Sequence, residues 1–140
     1  MKKLALLFVA VLAVGVTSCS KDDDAAGASL EGKWEYSKEG GIIQGQEVLT
    51  PWQHAAGCNK DFALITATTI VDTDYYGADC LEETYTAAYT RNGNTITITE
   101  GGEIFTGTIL QLDNTTLKIK GQEMTEGGIT YSDVTVYTRR

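Results

Sequence analysis

Few residues of this chain could do chemistry. Its 140 residues hold one imidazole, His54. A single His cannot build a His-rich metal site and leaves little for acid–base catalysis. His54 stands beside Trp52 and Gln53, and two placements fit it. It could meet a ligand at a barrel mouth, or it could lie exposed while the loop packs Trp52 onto the barrel end. The sequence favours the second. The densest acid group is Asp72 and Asp74, with Asp79, Glu82 and Glu83 close by. Clustered carboxylate oxygens suit a hard cation such as Ca²⁺. The chain has no Asp-x-Asp-x-Asp-Gly loop, however, and strand alternation would set Asp72 and Asp74 side by side on a wet face. A solvated acidic rim is the expectation. Glycoside hydrolysis needs a carboxylate pair at a defined separation, and nothing in the sequence fixes one. The chain has no Gly-x-Ser-x-Gly elbow, no reactive Cys with a His and no phosphate-cradling loop. The expectation is a protein with no catalytic residue, no metal ligand set and no cofactor.

Charge and composition narrow the partners. Lys plus Arg number 11 against 19 for Asp plus Glu, a net charge of −8. Such an acid excess repels the phosphates of nucleic acid. Apolar residues at 42% and charged residues at 21% make a globular composition. The length allows one domain, or one domain with a tail.

The first residues read as targeting rather than fold. Lys2 and Lys3 give a positive start, and Leu4 to Val14 is an unbroken apolar run. That run falls short of the roughly 20 residues a membrane span needs and suits the apolar region of a signal peptide. Gly15-Val16-Thr17-Ser18 then precedes Cys19, an arrangement that resembles a bacterial lipobox. The resemblance implies cleavage before Cys19, whose thiol carries the lipid that holds the protein to the outer membrane. Residues 1–18 are expected to be the signal peptide, 19–29 the lipidated Cys and a flexible acidic tether, and 30–140 the folded domain. Lys21-Asp22-Asp23 also looks like the export signal with which some Gram-negative bacteria display lipoproteins. The expected location is the outer membrane, lipid-anchored and facing the cell surface.

With Cys19 assigned to the lipid, Cys58 and Cys80 remain. In an exported domain they are expected to form a disulfide. Closing the loop between them would constrain the unfolded chain by roughly 3 kcal/mol. The other readings are two free thiols or a two-thiolate metal site, and the latter lacks further ligands.

From Leu30 onward the chain shows period-two alternation and no long helical period. Trp34 and Tyr36 share one face of a first strand. Phe62 to Tyr76 is rich in Thr, Ile and Val and holds two short strands or one bent one. Leu81 to Arg91 follows, and Asn92-Gly93 marks a tight hairpin turn. Thr95 to Thr99 alternates Thr with Ile. Ile104 to Leu112, Thr116 to Lys120 and Ile129 to Thr138 complete the set, separated by turns at Gly101-Gly102, Asp113-Asn114 and Glu126-Gly127-Gly128. Pro51 to His54 cannot be a central strand, since Pro lacks the ladder donor. The expected fold is all-β: an antiparallel up-and-down meander of about eight strands closing into a small barrel.

Gly32-Lys33-Trp34 opens the first strand and Arg139-Arg140 ends the last. A Gly-x-Trp start with a terminal Arg is similar to the pattern of lipocalins. With the lipobox, the Cys pair in the first half and the late strand Ile104 to Leu112, the whole domain resembles the small bacterial lipocalin-like lipoproteins. This resemblance implies that Gly32, Trp34, Arg139 and Arg140 close the barrel, an Arg lying across the Trp34 ring as a cation–π pair. It also implies a small apolar or amphipathic ligand in the barrel, with Tyr36, Trp52, Tyr85, Tyr89 and Phe105 as candidate contacts. An eight-stranded barrel this small is just wide enough for its own side chains or one small ligand. The alternative is therefore a filled barrel serving as a structural or interaction module of the cell envelope, its protein partner unknown.

Overall fold

The computed structural model describes residues 27–140, which form ten strands and no helix. The expected lipid site, Cys19, and the segment before Gly27 lie outside the described residues. The strands are β1 (Gly32–Ile43), β2 (Gln46–Pro51), β3 (Phe62–Ile65), β4 (Thr69–Tyr76) and β5 (Leu81–Asn92). They continue as β6 (Thr95–Glu100), β7 (Glu103–Leu112), β8 (Thr116–Lys120), β9 (Met124–Glu126) and β10 (Ile129–Arg139). β1, β3, β4, β5, β6, β7, β8 and β10 pair in that order, all antiparallel, and β10 returns to β1. The result is a closed eight-stranded barrel in up-and-down order, without free edges of its own.

The two remaining strands come from β1 and β10 outlasting the barrel. The first residues of β1, Gly32–Glu35, pair with β3, whereas Lys38–Ile43 pair with β2. β10 likewise gives Ile129–Tyr131 to β9 and Val134–Thr138 to β8. The β1–β10 ribbon therefore runs on past the barrel as a four-stranded flap, β2-β1-β10-β9. A bulge between Tyr36 and Lys38 marks the change, adding twist where the ribbon leaves the barrel wall. Pro51 ends the edge strand β2, where a missing N–H costs no ladder bond. The three-residue β9 takes Glu126, expected in a turn, into a strand because it pairs with the start of β10.

Register shows which side chains face inward. Trp34 opposes Ala63, Ala63 opposes Asp72, and Asp72 opposes Tyr85, so all four share the interior face. Near the start of β1 that interior is filled. Trp34 is 0% exposed, and Leu30, Ile65, Ile96, Ile109, Leu112 and Leu117 are buried with it. This is the closed end of the barrel; the end from which the flap rises is its mouth.

Candidate functional site

At the closed end the residues before β1 act as a plug. Ala28 and Leu30 pack on the core, and the Trp34 indole Nε1 donates to the Leu30 carbonyl at 2.7 Å. The Arg139 guanidinium lies 4.2 Å from the Trp34 ring centroid. It also donates to the carbonyls of Glu31, at 3.0 Å, and Ser29. Gly32 leaves room for this clamp: a Cβ there would stand 2.8 Å from Arg139 Nη1, and its φ of +137° disfavours any other residue.

Arg140 departs from the expected role. It turns outward and donates to Glu35 through Nε at 2.5 Å, while Lys60 holds the same carboxylate at 2.6 Å. Side-chain parity explains the split, since Arg139 opposes Trp34 and its neighbour must point the other way. Hydrogen bonding from Arg140 is the main reason that the Glu35 carboxyl falls from 4.5 to about 2. A carboxylate held below its unfolded value stabilises the fold above that value and loses the contribution as pH falls through the folded one. Acid titration should therefore show a stability loss between pH 4.5 and about 2. Glu35→Gln should shrink it, measured as the denaturation midpoint at each pH.

Cys58 and Cys80 are joined, with S–S 2.06 Å and Cα atoms 5.3 Å apart. The bridge ties the loop after β2 to the turn between β4 and β5. Asp61, a residue that sequence reading passed over, organises that loop. It is 4% exposed, and its carboxylate accepts from Trp52 Nε1 at 2.7 Å and from the Tyr75 N–H at 2.8 Å. His54 is not exposed as expected; its side chain is only 18% exposed. Its Nε2 lies 3.0 Å from the Tyr36 carbonyl, an acceptor only, so the proton is assigned to Nε2. Nδ1 then accepts the Asp61 N–H at 3.1 Å. The imidazole is a strut of the loop. Nothing in the sequence separates Asp61 from an ordinary surface acid, because its partners come from the loop after β2 and from β4.

Trp52, thus fixed, stacks on Tyr36 with ring centroids 4.4 Å apart, and Tyr36 meets Tyr137 at 4.7 Å. The Tyr36 hydroxyl donates to Asp72 Oδ1 at 2.8 Å. Burial pushes both phenols up, so they remain protonated donors. Asp72 and Asp74 do not lie on an outer wet face. They line the inside of β4 above the core, and burial raises both carboxyls. The Asp74 and Glu100 charges push Asp72 in the same direction.

Above this layer the mouth opens into a cavity of ≈ 300 Å³, lined by Ile70, Asp72, Tyr85, Ala87, Ile98, Glu100 and Phe105. Of the candidate ligand contacts, Tyr85 and Phe105 stand here, each 48% exposed. Tyr36 and Trp52 belong to the aromatic stack beside it. Tyr89 is elsewhere: it is buried in the closed-end core and donates its hydroxyl to the Thr66 carbonyl at 2.7 Å. Among the described residues no group of three or more His, Cys, Asp or Glu is arranged to hold a metal ion.

The profile of the lipocalin-like domain family matches residues 30–119. No curated protein matches the chain. Among solved structures, a lipocalin-like protein from Bacteroides uniformis superposes with a TM-score of 0.55 at 12% identity, covering 79% of this chain and 98% of its own. An uncharacterized protein from Bacteroides eggerthii gives 0.53 at 11% identity, with 80% and 100% covered. At such identities these neighbours share the fold alone. The family profile, however, spans most of the chain, from the closed-end plug into β8, and the protein belongs to the lipocalin-like domain family.

Proposed function

We propose that the protein is a non-catalytic, lipid-anchored binding protein of the cell surface, which takes a small apolar or amphipathic ligand at the open end of its barrel. The mouth cavity carries this reading. Its ≈ 300 Å³ is at the small end of ligand sites, with an apolar floor of Ile70, Ala87 and Ile98 and two half-exposed aromatic walls, Tyr85 and Phe105. The lower barrel is filled by side chains, so the mouth is where the interior has room. A lipid on Cys19 would attach to the chain on the plugged side, away from the mouth along the chain.

Two measurements test it. Mass spectrometry of the mature N-terminus should find diacylglycerol on Cys19; an unmodified terminus at another residue would remove the anchor. Short-chain amphiphiles should quench or shift Trp52 fluorescence saturably, and Phe105→Ala should weaken that binding by about tenfold, the scale of one large aromatic contact. A flat titration across such probes would overturn the binding role.

A second reading, an interaction module of the envelope, rests on the flap. Ile43, Val48, Ile129 and Tyr131 line a shallow apolar groove of ≈ 500 Å³ there, with Ile43, Val48 and Ile129 exposed. Exposed apolar patches of this kind mark protein contacts. Val48→Asp should then abolish a partner interaction and leave mouth binding intact.

A further inference from the structure

The mouth cavity has a sign. Asp72 and Glu100 line it, and strand register sets the inward positions on and around it: Ile70, Asp72, Asp74 and Tyr76 on β4, with Leu81, Glu83, Tyr85 and Ala87 opposite on β5. Ile98 and Glu100 face in from β6, with Glu103 and Phe105 from β7. Five of these side chains are carboxylates and none is Lys, Arg or His. Five of the cations among the described residues are committed elsewhere. Arg139 covers Trp34, Arg140 and Lys60 hold Glu35, Lys118 pairs with Glu47, and Lys33 covers Phe62. The acids also sense one another across the cavity, as Asp72 with Asp74 and Glu100, and Asp74 with Glu83. Like charges gathered around a partly desolvated apolar pocket repel one another unless a cation enters. The aromatic faces of Tyr85 and Phe105 complete the same chemistry, since a ring face attracts a cation.

We infer that the ligand of the mouth is an organic cation, an amine or quaternary ammonium on a short hydrocarbon body. Its apolar part would sit on Ile70, Ala87 and Ile98, and its charge between Asp72, Glu100 and the rings of Tyr85 and Phe105. This inference rests on the ligand-binding reading above and adds the class of ligand. Acids alone would only make a solvated rim; the apolar cavity among them is what distinguishes a site. An anionic lipid or fatty acid, by contrast, would bring its carboxylate against uncompensated acids in a low-dielectric pocket.

The test is calorimetric titration of the folded domain at low salt with three probes of equal chain length: decyltrimethylammonium, decanol and decanoate. Decyltrimethylammonium should bind at least about tenfold tighter than decanol, and decanoate more weakly than either, a spread typical of one partly buried charge contact. Asp72→Asn with Glu100→Gln should bring the ammonium down to the decanol affinity and leave decanol unchanged. If loss of the Tyr36 partner prevents folding of the double variant, Glu100→Gln alone should still lower ammonium binding several-fold, since Glu100 is exposed. Glu82→Gln, whose side chain faces outward on β5, removes the same charge and should change nothing. Equal or tighter binding of decanol or decanoate overturns the cation and keeps the ligand-binding role. An equal effect of Glu82→Gln shows attraction to overall charge and overturns the site. Binding of none of the three overturns the ligand-binding role, and this inference with it.

Discussion

Replacing Trp34 with Ala should destabilise the domain by about 3–5 kcal/mol, the largest effect expected of a single substitution here. The indole is 0% exposed at the centre of the closed end, where Leu30, Ile65, Leu112 and Leu117 cannot all collapse into the space it leaves. Three further contacts go with it. The Leu30 carbonyl loses its donor, the Arg139 guanidinium loses the ring beneath it, and the plug formed by residues 28–31 loses its seat. Urea denaturation followed by circular dichroism would measure the change. Arg139→Ala should cost less, about 0.5–2 kcal/mol, because the packed ring remains. A Trp34→Ala loss below about 1 kcal/mol would mean that the core does not depend on the closed end.

Replacing both Cys58 and Cys80 with Ala should cost about 2–5 kcal/mol. The bridge spans 22 residues and encloses the Asp61 loop, β3 and β4. Without it, the loop that presents Trp52 to Tyr36 is held by the hydrogen bonds of Asp61 to His54, Trp52, Tyr75 and the Tyr36 N–H. The loss should therefore appear first as faster amide exchange at Trp52 and Tyr75, and then as a lower unfolding midpoint. Unchanged exchange at both residues would show that the hydrogen bonds suffice. Reduction of the native protein under non-denaturing conditions should reproduce the double-variant behaviour.

The strands were legible because the signals for them are local. Thr95 to Thr99 alternates Thr with Ile, Gly93 turns the hairpin before it, and Pro51 marks an edge. Trp34 and Tyr36 share a face in the sequence and in the barrel. Alternation says which residues face the same way but not which way is inward. In β4, Asp72 and Asp74 share parity with Ile70, and only the register through Ala63 and Trp34 assigns all three to the interior. The same limit left Arg139 and Arg140 interchangeable until the pairing of β10 with β1 separated them. Tyr89 and Tyr85 are equivalent by composition, yet four residues along β5 divide the buried core from the mouth. Glu35 and Asp61 were beyond reach for another reason: Arg140 reaches Glu35 only once β10 pairs with β1, and Asp61 meets Trp52, His54 and Tyr75 only once an irregular loop has folded against β4.

The seam between β1 and β10 also governs how the chain can reach its native state. Trp34 must find Arg139, and Glu35 must find Thr138, across nearly the whole domain. The other barrel pairings join residues far nearer along the sequence, the longest being Gly32 with Ile65 across β2. The local hairpins can therefore form early, while closure bears the entropy of a long loop and a high contact order, which puts all-β domains in the millisecond-to-second range. Until that step, β1 and β10 each present an unpaired edge, a template for pairing with another unfinished chain. Loss of Ile129–Arg139 would leave the edges of β1 and β8 open permanently. A chain truncated before β10 should accumulate as intermolecular β-structure rather than as a smaller soluble domain.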